Sequence, residues 1–166
     1  MLGVASAVTS VTAAAFGARD YKKMEISFLF ALKTGVLVES VLAVLTFLFA
    51  SQITWIFTWS EETARIIGDL TQLLRVVWIY FPTVAVGMLS TAMFQGAGKG
   101  MTALIMTILR TLVFTVPCVW FFGIVLEGGL LGVWNGLVVS GLIYVPIAFG
   151  WSTSYLRKLK NIEVQA

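Results

Sequence analysis

The sequence predicts an all-α fold: a polytopic transmembrane helix bundle of four full spans preceded by a truncated N-terminal helix. Three observations carry this. Charged residues are only 11% of the 166, where a soluble domain carries about 25%. Hydrophobic residues make up 59%, and they gather in runs as long as the roughly 20 residues that a spanning helix needs. Those runs are continuous, without the ten-residue apolar/polar alternation of a membrane barrel.

The first helix is read over residues 1–16, small and apolar. At about 1.5 Å per residue it falls short of a hydrocarbon core of roughly 30 Å. No positive charge precedes Leu2, which argues against a signal peptide. GARDYKK (17–23) is a polar stop. The second run covers about 28–57, longer than a minimal span, and the polar connection SEETARIIGDL (60–70) follows. The third run, about 71–95, contains Pro82, which removes a backbone hydrogen bond and kinks a helix. A turn, GAGKG (96–100), leads to the fourth run, about 101–125, with a kink expected near Pro117. The fifth run, about 130–155, contains Pro146, and the tail RKLKNIEVQA is polar. Short connections and no linker make residues 1–166 one membrane domain of antiparallel neighbours.

Lysine and arginine set the orientation. Alternating sides gather Arg19, Lys22, Lys23, Lys99, Arg157, Lys158 and Lys160 on one face, against Arg65 and Arg75 on the other. Seven against two places the first set and the C-terminus in the cytoplasm of a cell-membrane protein. An even number of spans between residue 28 and the tail is then required, and four satisfies it. The net charge of +3 sits in the connections, where anionic lipid headgroups account for it without nucleic acid.

Enzyme chemistry is poorly represented. There is no histidine, and Cys118 is the lone cysteine, so neither a metal site nor an internal disulfide is expected, and no cofactor. HExxH, GxSxG and a carboxylate pair within a membrane run are all missing. FQGAGKGMT (94–102) fails as a phosphate loop, because Met93 and Gly100 stand where glycine and Ser/Thr are needed. It reads as a glycine-rich turn between helices.

The polar residues inside the runs are the functional candidates. Glu39 lies near the middle of the second run, where a carboxylate is costly unless paired, protonated or facing water. Desolvation favours its protonated form, so it is a candidate ion-coupling group; the other reading makes it a structural partner of Lys33 or Arg110 from a neighbouring helix. Arg110, a third of the way into the fourth run, is read first as a helix-pairing or snorkelling residue and second as a cavity residue. Tyr80, Met88, Met93 and Trp120 are candidates for lining an adaptable apolar cavity. Asn135 is a candidate for the cavity and for a hydrogen bond across helices. Gly132, Gly136 and Ser140 recur every four residues, the spacing that lets helix backbones approach closely. Trp55, Trp59, Trp78 and Trp151 fall near the expected interfaces.

The order of features resembles one family. A helix ending in FGARDYKK precedes a long helix, an acidic outer loop and a helix ending in FQGAGKG. LRTLVFTVP (109–117) and GLLGVWNG (129–136) follow. Together they resemble the C-terminal lobe of the multidrug and toxic compound extrusion family, twelve-helix secondary transporters built from two six-helix lobes. The resemblance runs from the eighth family helix to the twelfth. It implies export of cationic, amphipathic compounds driven by inward proton or sodium movement, with the lobes rocking around a central site. The implied partners are membrane lipid, such a compound, the coupling ion and the missing N-terminal half. Gln95, Gly96, Gly98, Arg110 and Pro117 sit where the family's recurrent residues fall and read as architectural. Family coupling carboxylates lie on the first helix of a lobe or on the counterpart of 71–95, and the latter contains no Asp or Glu here. A lipid-linked oligosaccharide flippase of the same ancestry is the second expectation. A non-transporting split or remnant subunit is the third, favoured by Met1 opening in mid-helix.

Overall fold

A computed structural model describes residues 1–57 and 66–165, with side chains described through residue 161. The described residues form seven helices: α1 (Leu2–Gly17), α2 (Tyr21–Leu48), α3 (Ala50–Phe57), α4 (Ile67–Val77), α5 (Tyr80–Gly96), α6 (Gly100–Val125) and α7 (Gly129–Gln165). Helices α2, α6 and α7 are each long and apolar enough to cross a membrane. The pair α4–α5, bent by 55°, passes the same test when counted as one broken span, which brings the number to four. Four spans and a shorter apolar helix are the architecture expected from the apolar runs. Trp59, Glu61, Glu62 and Arg65 lie outside the described residues.

Backbone chemistry explains where the boundaries depart from the apolar runs. The second helix starts at Tyr21 rather than 28, so Lys22, Lys23 and Glu25 ride its first turns. Asp20 caps it, its carboxylate accepting from the Lys23 N–H at 2.9 Å. The run does not continue unbroken to 57; it divides at Phe49 into α2 and α3. In the third run the break falls at Trp78–Ile79, one turn before Pro82. That proline has no N–H to give the Trp78 carbonyl four residues back, and the Phe81 N–H reaches it instead at 3.3 Å. Pro117 produces no break: α6 stays continuous, with π-helical turns over Leu109–Thr115 and Phe121–Val125 on either side of it. The last helix does not end with its apolar run near 155; the polar tail continues α7 through Gln165.

Two turns share one design. Helix α1 ends with Arg19 at φ 57° and α5 with Gly98 at φ 70°. In each the next N–H returns to the helix, Asp20 to the Ala15 carbonyl at 3.0 Å and Lys99 to the Phe94 carbonyl at 2.9 Å. These closures satisfy the last carbonyls of an apolar helix, which lipid cannot do. Glycine takes the left-handed position freely in the second turn, while Arg19 holds it with a side chain.

Helix α5 is the hub, with nine buried residues among Thr83–Phe94. The side-chain core around it is Met24 and Phe28 from α2, Leu89, Met93 and Phe94 from α5, Met106 from α6, and Tyr144 and Ala148 from α7. Lys160 of α7 pairs with Glu25 of α2 at 3.1 Å, and Tyr155 stacks near Phe94 with ring centroids 5.2 Å apart. The starts of α2 and α6 and the end of α7 therefore lie at one end of the bundle, and with them Lys22, Lys23, Lys99 and Arg157–Lys160.

Helix α7 packs on α6 through glycine. A Cβ on Gly136 would meet the Cys118 carbonyl oxygen at 2.8 Å, and one on Gly132 would collide with the Phe122 carbonyl oxygen. Ser140 is buried on the same face, its Oγ 3.4 Å from Thr115 Oγ1. Replacing Gly132 or Gly136 by valine should destabilise the detergent-solubilised protein by about 1–3 kcal/mol through overpacking. Gly150→Ala, inside α7 with nothing within 4 Å of the added carbon, should cost nothing and stabilise by up to about 1 kcal/mol. Thermal unfolding followed by size-exclusion chromatography reads the difference.

Candidate functional site

Among the described residues, a partly polar cavity of about 550 Å³, open on one side, lies between α1, α5 and α6. Helix α1 contributes Leu2, Ala5, Ser6, Thr9 and Ser10. Helix α5 contributes Val84, Met88, Thr91, Ala92 and Gln95, and α6 contributes Thr107 and Arg110. Along α5 it extends from Val84 to Gln95, about 16 Å at helical rise, running from mid-span toward the end that carries Lys99.

Helical periodicity puts these side chains together. Ser6, Thr9 and Ser10 follow at intervals of three and four residues and share one face of α1. Met88, Thr91, Ala92 and Gln95 do the same on α5, and Thr107 and Arg110 on α6. Most of the hydroxyls are engaged by their own helices: Thr9 Oγ1 donates to the Ala5 carbonyl at 3.1 Å, Ser10 Oγ to Ser6, Thr91 Oγ1 to Gly87 and Thr107 Oγ1 to Ala103. Thr9 Oγ1 also lies 3.3 Å from the Ala92 carbonyl, tying α1 to α5.

Arg110 is half-buried. Its guanidinium stands beside Gly87 and Tyr144: a Cβ on Gly87 would lie 3.6 Å from Arg110 Nη1 and 3.0 Å from Tyr144 Cε1. Glycine at position 87 leaves the room that both side chains occupy. Among the described residues the one ion pair is Lys160–Glu25, so Arg110 does not pair with Glu39. No carboxylate lines the cavity.

The other sequence candidates fall elsewhere. Glu39 is half-buried on α2, between the buried Gly35 and Ala43 and four residues from each, so it sits on the packed face rather than in the cavity. It pairs with neither Lys33 nor Arg110. Lys33 is exposed on the outer side of α2, in a shallow apolar trough of about 640 Å³ with Leu32, Val36, Leu37, Ser40 and Val41. That trough is larger than the Arg110 cavity but has almost no polar lining, so the chemistry lies in the smaller one.

Met88 and Arg110 reach the cavity; Tyr80, Met93, Trp120 and Asn135 do not. The Tyr80 ring is seated over Gly141, whose Cβ would meet Cδ2 at 2.9 Å. Met93 is fully buried in the core, and Trp120 is 57% exposed on α6. Asn135 is exposed and forms no hydrogen bond across helices, because it lies off the Gly132–Gly136 face that α6 covers. Sequence reasoning missed Ser6, Thr9, Ser10, Thr91 and Thr107. Their three-to-four-residue spacing was the available signal, muted by small apolar neighbours.

Residues 1–121 match the MatE family. The chain belongs to that family. The MatE chain is also similar to solved structures. One, described as the inward-facing conformation of a multidrug resistance MATE family transporter of the MOP superfamily, is 38% identical with a TM-score of 0.89; the match covers 95% of this chain and 36% of that one. An outward-facing structure, described in the same terms, is 39% identical with a TM-score of 0.91, covering 96% and 35%. A MOP superfamily transporter from Pyrococcus furiosus Vc1 (DSM3638) is 39% identical with a TM-score of 0.92, covering 96% and 35%. It is described as having a binding pocket of reverse polarity that suggests a different function. No curated protein matches. The MatE chain thus spans about a third of the length of these relatives.

In a Cys118→Ser background, cysteines at Thr9, Met88 or Thr107 should react with a hydrophilic methanethiosulfonate reagent in membranes. Cysteines at the fully buried Leu89 and Met93 should not. Mass spectrometry of the labelled protein reads this contrast.

Proposed function

We propose that this chain forms part of a membrane exporter that moves cationic or amphipathic compounds by alternating access, driven by proton or sodium antiport. It works with further helices that bring it to the length of its relatives, as part of the C-terminal lobe. The observation that carries the reading is the half-open, partly polar cavity between α1, α5 and α6, in a fold whose relatives are known in inward- and outward-facing conformations. Such a hollow gives an amphipathic compound an apolar wall at Met88, Val84 and Ala92 and hydrogen-bonding groups at Gln95 and Arg110.

Glu39 is the candidate coupling group. It is the one carboxylate in the central part of a described span, half-buried on the packed face of α2, and a carboxylate within a membrane span marks an ion or proton path. The cluster of Lys22, Lys23, Lys99 and Arg157–Lys160 at one end supports a cytoplasmic C-terminus in the cell membrane. A flippase of lipid-linked oligosaccharides is the second reading, favoured by Arg110 having no carboxylate partner. One guanidinium is a small charge to set against a pyrophosphate.

Inside-out vesicles carrying the chain together with the helices that complete its transporter test this. With the interior acidified, or loaded with sodium, they should accumulate a fluorescent organic cation. Glu39→Gln, at equal expression, should lose the pH-driven component. Uptake that ignores both gradients, or that Glu39→Gln leaves unchanged under a pH gradient, would contradict the reading.

A further inference from the structure

Taking the transporter reading as its basis, we propose that the Arg110 cavity receives the anionic head of an amphiphile, a carboxylate or phosphate carried on an apolar body. Arg110 lies eleven residues beyond Lys99 on α6, about 16 Å into the span at helical rise. A guanidinium at that depth is held by water, backbone carbonyls or an anion, and it makes no hydrogen bond to a carbonyl among the described residues. The described residues supply no carboxylate to it, and none lines the hollow.

The hydrogen-bonding inventory gives the sign. Thr9, Ser10, Thr91 and Thr107 spend their hydroxyl protons on carbonyls of their own helices. The side chains left facing the cavity without a hydrogen bond among the described residues are Ser6, Gln95 and Arg110, and of these Arg110 alone carries a charge. Guanidinium N–H groups form a fixed fork that matches a carboxylate or phosphate two bonds at a time. Met88 and Val84 provide the apolar wall for the rest of the molecule, and thioether side chains adapt to varied shapes. A cationic end, where the compound has one, is left to groups outside this cavity.

The same chemistry is offered by an exported organic acid and by an anionic phospholipid, and one binding experiment separates them. The full chain is placed in phosphatidylcholine nanodiscs. Three matched fluorescent probes are titrated: a dansyl undecanoate, its methyl ester, and the trimethylammonium of equal length. The carboxylate should bind at least about tenfold tighter than the ester, the value of one charge-assisted contact. Arg110→Gln should abolish that preference and Arg110→Lys keep part of it. Because Arg110→Gln could impair folding, Thr107→Asp serves as a second variant. One turn from Arg110 on α6, it supplies an internal carboxylate and should remove the preference while the ester still binds. Phosphatidylglycerol in the disc that displaces the probe from the wild-type chain but not from Arg110→Gln identifies lipid as the anion; no displacement identifies a soluble acid. Equal binding of acid and ester, tighter binding of the ammonium probe, or a preference that survives both variants overturns the proposal. The readout is equilibrium binding, so a failure of transport in vesicles leaves it standing, and its own failure leaves the transporter reading standing.

Discussion

The arrangement depends on how closely neighbouring backbones approach α5. At Gly96 a single added carbon would lie 2.5 Å from the Thr9 carbonyl oxygen and 2.7 Å from Thr12 Cβ. Gly35 of α2 is pressed against Leu89, Gly87 against Tyr144, and Gly141 of α7 against Tyr80 and Thr83. In lipid there is no hydrophobic drive between apolar helices, so association comes from close van der Waals contact and interhelical hydrogen bonds. Small residues on α5 and its partners supply the first. The Thr9 hydroxyl reaching the Ala92 carbonyl supplies an instance of the second.

That packing creates the cavity as well. Helix α1 meets α5 tightly at Thr12 and at the Thr9 carbonyl, while the hollow lies along the face that carries Leu2, Ala5, Ser6, Thr9 and Ser10. Helix α6 leaves the turn at Gly98 and contributes Thr107 and then Arg110 to the opposite wall. The π-helical turns begin at Leu109, and the Thr115 hydroxyl reaches five residues back to the Arg110 carbonyl at 2.8 Å. The helix thus changes its winding at the residue that gives the cavity its charge, a placement common for such turns at functional positions.

The spans were legible in the sequence because apolar run length is what a bilayer selects. Their ends were not. Hydropathy tracks contact with lipid, whereas a helix ends where its carbonyls find other partners, so Lys22 and Lys23 belong to α2 and the basic tail belongs to α7. Pro82 signalled a break, and the break sits four residues earlier at the carbonyl it fails to satisfy. Phe49 carried no signal for the division of the second run. Within the site, Arg110 stood out as the single charge of its run, while the face of Tyr80, Trp120 or Asn135 depends on which neighbour covers it. Glycine spacing at 132 and 136 is a pattern local to one helix, and the structure sets both residues against the α6 backbone.

The account rests on α1 and α5 touching at Thr12 and Gly96, and that contact can be trapped. Thr9→Cys and Ala92→Cys, on the same seam, where Thr9 Oγ1 lies 3.3 Å from the Ala92 carbonyl and no glycine has to be filled, combined in a Cys118→Ser chain in membranes, should be joined by a short bifunctional thiol reagent, with the linked peptides recovered by mass spectrometry. Thr9→Cys with Gly150→Cys, a position that meets no neighbour within 4 Å, should not. Failure of the first pair to link, or linkage of both pairs to the same extent, would contradict a bundle built around α5.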